Sequence, residues 1–373
     1  MRVVRRILVV LLMILVVLGA AGAGGFLYLT RRPFPQIDGT VILPGLNGPV
    51  TIVRDGYGIP HIYAGNVHDL FLAQGYVHAQ DRLLQMDFNR RIGAGRLSEL
   101  STSAVGRDKF IRTLGWRRAA QADVDNMAAD ARAILDAYAE GVNAFIDTHA
   151  GSLPLEYPII GLFSGKGLNF APEPWTALDT ATWAKVMAWN LSGNWEAELF
   201  RAALIEKYGE ADGLQAIADL IPPYAPDAPL IARPQASSGR APVDLIALGR
   251  DLEALVGSRG RGIGSNNWVV AGSRTTTGEP LLANDPHLSL GIPSVWYFNG
   301  LHCDPVGPDC PFDAVGASFP GAPAVIIGHN ARIAWGATNV GPDTQDLFIE
   351  TVQGEQVEFA GKQIGRASCR ERV

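Results

Sequence analysis

Gly264 and Ser265 stand where a long stretch rich in proline, glycine and serine gives way to the strand-like run Asn267-Trp268-Val269-Val270. A small residue followed by a hydroxyl at the end of a flexible segment permits one particular chemistry, attack on a strained peptide bond by the side chain next to it. The Ser265 hydroxyl would add to the Gly264 carbonyl carbon and convert the amide to an ester. Hydrolysis of that ester would leave Ser265 as a new chain start, its α-amine beside its own hydroxyl. Such an amine titrates near about 7.7–8.0 and suits the role of general base at neutral pH. A Gly-Ser pair also begins many ordinary strands, and these two residues alone leave both readings open.

Other hydrolytic and nucleotide signatures are missing. There is no G-x-S-x-G elbow, since Gly316-Ala317-Ser318-Phe319 runs into Pro320, and there is no H-E-x-x-H helix or phosphate-binding loop. The formal charge of −6, with arginines scattered rather than clustered, gives no basic stripe for a nucleic-acid backbone. Nucleic acid is therefore not an expected partner.

The elements that would hold the junction follow from periodicity. Residues 50–55 read as a strand ended by the turn at 56–60, and a helix is expected over 67–87. Between 119 and 146 the residues Met127, Ile134, Leu135, Tyr138, Val142, Phe145 and Ile146 recur at helical spacing, and a further long helix is expected over 181–208. The first half thus reads as mainly helical. Residues 225–264 read as a linker or excisable spacer. Beyond Ser265, short strands are expected at 267–271, 281–284, 324–328, 333–338 and 347–352, making the second half largely antiparallel sheet.

At the front of the chain, Arg2, Arg5 and Arg6 precede an apolar run over 7–25 that ends in small residues, the pattern of an export signal. With residues 26–29 the run reaches about the 20 residues needed to cross a bilayer, so a cleaved signal and an anchor over 7–29 both remain open. Either way the rest of the chain is expected outside the cytoplasm, touching a membrane only through this segment. Cys303 and Cys310 flank a turn-rich loop, and in an oxidising compartment a local disulfide is expected; two unrelated thiols are the alternative. Residues 364–373 break the strand rhythm and read as non-native sequence, with no function assigned to them or to Cys369.

Six ordered blocks carry a resemblance. They are 53–62 (from Val53-Arg54-Asp55 to Pro60-His61-Ile62), 75–86 (including His78-Ala79-Gln80-Asp81-Arg82), and 191–195 (Leu191-Ser192-Gly193-Asn194-Trp195). The others are 264–268 (Gly264-Ser265-Asn266-Asn267-Trp268), 281–288 (including Asn284-Asp285-Pro286-His287-Leu288), and 327–330 leading through to 335–339 (Trp335-Gly336-Ala337-Thr338-Asn339). Over residues 50–352 the chain resembles the penicillin acylase family of N-terminal nucleophile hydrolases.

The resemblance implies an α+β fold, an αββα sandwich, with export to the periplasm or beyond. It divides the chain into a signal or anchor at 1–32, a mainly helical α-chain at 33–225, a spacer at 226–264, and the front part of a catalytic β-chain at 265–363. Excision of the spacer would leave an α/β heterodimer that hydrolyses a small-molecule N-acyl amide. Ser265 would be nucleophile and base together, and the backbone N–H of Asn339 one oxyanion donor, each such donor being worth about 2.7–4 kcal/mol. A second donor asparagine and a supporting arginine are expected beyond the C-terminal end, so the chain as it stands is expected to be inactive.

By the same resemblance, His287 would orient the Ser265 amine, although a strand-end histidine bonded to backbone is the plainer alternative. His61, His78 and His329 are expected to be structural. The pocket positions match Met187, Leu191, Leu288 and Ile327, aliphatic throughout, favouring a straight or branched acyl chain over an aromatic one. Pocket discrimination is about 1–3 kcal/mol per methylene, and Met and Leu at helical spacing are also ordinary core. One structural Ca²⁺ is implied, held by Asp343, Gln345, Asp346 and Glu198, with Glu196 as the alternative to Glu198. Two other readings stay open: an exported binding protein on this scaffold without chemistry, and a conventional serine hydrolase pairing Ser265 with His287 in an uncut chain.

Overall fold

A computed structural model describes residues 2–31, 34–192, 195–220, 264–288, 291–339, 352–353, 356–359 and 362–365. The fold is mixed helix and sheet, in the α+β class expected. The N-terminal run forms one helix, α1 (Arg2–Arg31). Its stretch Arg5–Arg31 is long and apolar enough to cross a membrane.

The chain divides into two compact units. The first comprises Met1–Phe88, Ala128–Ala177 and Phe298–Asp313, and the second Asn89–Met127, Leu178–Tyr297 and Ala314–Val373. This division differs in kind from the α-chain, spacer and β-chain division, which concerns the cleavage products expected along the sequence.

In the first unit, β1 (Val50–Arg54) pairs antiparallel with β2 (Pro60–Ala64) through the expected turn. Asp55 shapes that turn, its Oδ1 accepting the N–H groups of Tyr57 and Ile59 at 2.8 and 3.0 Å. The helix expected over 67–87 continues to Ala94 as α2 (Val67–Ala94), with Arg82 outside helical dihedrals at φ −141°. Just before that kink, Asp81 takes a two-pronged contact from Arg54, at 2.9 and 3.1 Å. Two of the sequence blocks are thus tied by an ion pair at the junction of strand and helix.

The helical periodicity over 119–146 belongs to two helices, α4 (Trp116–Asp125) and α5 (Ala129–Thr148), α3 (Val105–Leu114) preceding them. The break falls where Asn126 turns its side chain back onto the Ala122 carbonyl at 2.7 Å, the competition with the helix ladder for which asparagine is known. Helix α5 lies on the front of α2 at very close range. A Cβ on Gly75 would collide with the Tyr138 carbonyl, and one on Gly141 with the Leu72 carbonyl, so each helix meets the other's backbone through a glycine. Around this crossing Tyr76, Met86, Tyr138, Val142, Phe145, Tyr157 and Trp175 form the unit's core.

A further strand of the first unit, β5 (Tyr297–Cys303), was not foreseen, and it runs parallel to β2. The sequence Phe298-Asn299-Gly300-Leu301-His302 lacks β-branched residues, and its partner strand is remote in sequence. Cys303 and Cys310 form the expected disulfide.

In the second unit, the helical run expected over 181–208 is two helices, α7 (Ala177–Ser192) and α8 (Trp195–Tyr208), after α6 (Glu156–Phe163) of the first unit. Strands β3 (Gly264–Val270) and β4 (Leu281–His287) form an antiparallel hairpin, each slightly longer than foreseen. A second antiparallel set is β6 (Asp313–Ser318), β7 (Ile327–His329) and β8 (Ala334–Trp335). Of the strand expected at 347–352, residues 347–351 lie outside the described residues.

His78 is fully buried, with Nδ1 at 2.8 Å from the Tyr138 hydroxyl. Burial, aided by the nearby Arg82 charge, pulls its pKa down to about 3. The unfolded chain, near about 6.5, then binds a proton that the folded chain refuses, so stability is complete above about pH 6.5 and lost as pH falls toward 3. His78→Gln, which can still bond Tyr138, is expected to show a shallower loss of urea resistance between pH 6.5 and 4.5; an unchanged slope would contradict this. Gly141→Ala should cost about 3 kcal/mol by over-packing the α2/α5 crossing, read as a lowered unfolding midpoint.

Candidate active site

Ser265 is the second residue of β3, facing Pro286 in the ladder, while Gly264 faces His287. The half-buried Ser265 hydroxyl donates to the Gly264 carbonyl oxygen at 2.7 Å. The oxygen expected to be the nucleophile therefore lies against the carbonyl of the bond it would have to attack.

His287 closes β4 directly across from Gly264, about one-third exposed, its Nε2 at 2.9 Å from Asp285 Oδ2. The pairing of a serine hydroxyl with this imidazole, which an uncut serine hydrolase would require, is not what these contacts build: Ser265 donates to Gly264 and His287 is held by Asp285. The ring still borders the junction, since its Nδ1 would lie 3.9 Å from a Cβ built on Gly264.

Asn339 is exposed and follows β8 by a few residues. The segment carrying it is clasped to the hairpin by Asn284 of β4. Asn284 Oδ1 accepts the Ala337 N–H at 3.1 Å, and Nδ2 donates to the carbonyls of Ala337 and Asn266, each at 3.0 Å. Asn284 stands inside one of the sequence blocks, yet no role was read for it. The available signal was an asparagine in the interior of a strand, a place this residue type avoids unless its amide is used.

Three of the four expected pocket residues come together. Met187, on α7, belongs to the second unit's core, and Leu191 and Leu288 pack against the same cluster. Ile327 lies instead on β7, opposite Ala317. The surroundings are mixed rather than free of aromatic walls: beside aliphatic residues such as Ile111, Val186 and Leu199, Phe110, Trp116, Trp183, Trp195 and Phe319 are in the cluster, with Trp189 and Trp296 against it. Trp296 and Phe319 are 4.5 Å apart by ring centroids, and Trp189 lies 6.0 Å from Trp195. These rings come from α3, α4, α7, α8 and the segments beside β5 and β6, which matching a few positions could not bring together.

Of the expected calcium ligands, Glu198 is partly buried on α8, while Asp343, Gln345 and Asp346, and the side chain of Glu196, lie outside the described residues. Among the described residues no three His, Cys, Asp or Glu side chains gather in a metal-binding group. The other family-block histidines sit elsewhere: His78 in the first unit's core, His61 with Nδ1 3.2 Å from His302 Nε2, and His329 exposed on β7.

The penicillin amidase family matches this chain over residues 49–371. Penicillin acylase 2 proenzyme of Pseudomonas sp. (strain SE83) is 35% identical over 324 residues, covering 85% of this chain and 39% of that protein. Acyl-homoserine lactone acylase QuiP of Pseudomonas aeruginosa is 31% identical over 339 residues, covering 87% of this chain and 37% of that protein. Penicillin G acylase of Escherichia coli is 30% identical over 359 residues, covering 82% and 40%. The chain thus spans about two fifths of the length of these relatives. With a family match running through the hairpin that bears Ser265, the chain belongs to the penicillin amidase family.

Proposed function

We propose that this chain is the front part of an exported amidohydrolase that cleaves a small-molecule N-acyl amide after breaking its own Gly264–Ser265 bond. The observation that carries the reading is the Ser265 hydroxyl resting on the Gly264 carbonyl at the mouth of β3. In maturation, Oγ adds to the Gly264 carbonyl carbon, the bond to the Ser265 nitrogen breaks, and that nitrogen takes a proton. Water then cleaves the ester, giving a Gly264 carboxylate and a free N-terminal serine. A further cut upstream would release the spacer at 226–264, leaving an α-chain and a β-chain together as a heterodimer.

In turnover the α-amine draws the proton from its own hydroxyl as Oγ attacks the substrate carbonyl. The backbone N–H of Asn339 receives the developing oxyanion, and His287, bordering the junction, orients the amine. The relatives' names point to penicillins and to acyl-homoserine lactones, which share an acyl group on an amide nitrogen. That acyl group would lie near Met187, Leu191 and Leu288, with Ile327 contributing from β7. The side chains around them are aromatic as well as aliphatic, apolar partners for planar and flexible acyl groups alike.

A single Ca²⁺ would be held by Glu198, Asp343, Gln345 and Asp346, hard oxygen donors suited to that ion, in a structural role. The apolar helix α1 fits a signal peptide or an anchor, and the functional part then lies in the periplasm or outside the cell.

The test uses the full-length protein and a panel of N-acyl amides. Ser265→Ala should lower kcat/KM by at least about a thousandfold. In the wild type, kcat/KM should rise with pH through about 7–8, because the amine is a base only when neutral. Activity that survives the substitution, or lacks that acid limb, would contradict the proposal.

A further inference from the structure

Beyond β8 the Ala337 peptide takes both its hydrogen-bond partners from a side chain rather than from a strand. Asn284 faces it as a second peptide would, accepting from its N–H at 3.1 Å and donating to its C=O at 3.0 Å. One bond would leave a hinge, whereas two bonds from one planar amide fix distance and orientation together. The second N–H of the same amide donates to the Asn266 carbonyl at 3.0 Å. Asn284 therefore holds the residue after Ser265 with one arm and the residue two before Asn339 with the other.

The surroundings are cut to this contact. A Cβ on Gly336 would meet Asn284 Cβ and Cγ at 2.8 Å and Asn267 Nδ2 at 2.9 Å, so only glycine lets the 336–337 peptide come this close. All these residues lie in one compact unit.

We propose that Asn284 is a positioning residue that sets the separation between the Ser265 nucleophile and the oxyanion donor at Asn339. This inference rests on the catalytic reading given above. Asn284 touches neither the acyl group nor the scissile bond. It acts through the two segments that do, and a misplacement of about 1 Å between such groups can cost about a hundredfold in rate.

The experiment compares full-length, matured wild type with Asn284→Ala and Asn284→Asp. The aspartate keeps the size and the acceptor but cannot donate to either carbonyl. Active sites are counted by covalent labelling of the N-terminal serine with a sulfonyl fluoride, so that kcat is expressed per competent site. The expected result is a fall in kcat per site of at least tenfold in both variants, with KM within about threefold. A smaller fall in kcat per site, as a purely structural role would give through loss of sites alone, would overturn the proposal.

If neither variant matures, amide hydrogen exchange is compared in the full-length Ser265→Ala precursor with and without Asn284→Ala, which removes the acceptor of the Ala337 N–H. Faster exchange at Ala337 and Asn339 is then expected, and equal exchange would overturn the proposal. A wild-type chain that is neither cut nor active would defeat the catalytic reading separately, because the exchange measurement needs no activity.

Discussion

The register between β3 and β4 is the constraint on which the candidate site depends. It places Gly264 across from His287, Ser265 across from Pro286, and Asn284 where its amide reaches Asn266. A slip of one residue would send every side chain of β3 to the opposite face and remove Ser265 from its place. Burial does little to prevent this, since Trp268, Val269 and Leu281 are largely exposed in the described structure. The register is set instead at the two ends of the hairpin. In the connection, Thr275 Oγ1 bonds the Gly272 and Glu279 carbonyls, and Gly278 takes a φ of +80° that favours glycine. Further along, Asn284 clasps the neighbouring segment.

A hairpin held by its turn and one amide is well suited to chemistry that rearranges the bond at its mouth. A junction deep in a packed core would resist the release of a new chain end, whereas one at the edge of a small ladder can part while the rest stays in place. The packed core of the second unit lies on the helical side, where α7 brings Met187 and Leu191 into an aromatic-rich cluster. Helix α7 thus carries two of the residues proposed to meet the acyl group, while the hairpin carries the reacting bond.

Much of this was legible in the sequence because the local signals were strong. The β-prone run Trp268-Val269-Val270, the Asp55 turn and the apolar run at the front each dictate an element almost alone. The errors arose where the deciding interaction is remote or side-chain specific. The helical run at 119–146 is broken by an asparagine that caps rather than continues the helix, and β5 is recruited as a parallel strand by β2, far away in sequence. The aromatic character around Met187 depends on four helices and two segments meeting, which no periodicity records. Asn284 was visible as a residue type in an unfavoured place, but its meaning required knowing that Ala337 lies beside it.

The central claim is that the bond between Gly264 and Ser265 breaks by the action of the Ser265 hydroxyl. Its most direct test is intact mass and N-terminal sequencing of the full-length protein, wild type and Ser265→Ala, purified under the same conditions. The account predicts two chains in the wild type, one beginning Ser265-Asn266-Asn267, and a single uncut chain in the variant. An uncut wild-type chain, or a variant cut at the same bond, would contradict it.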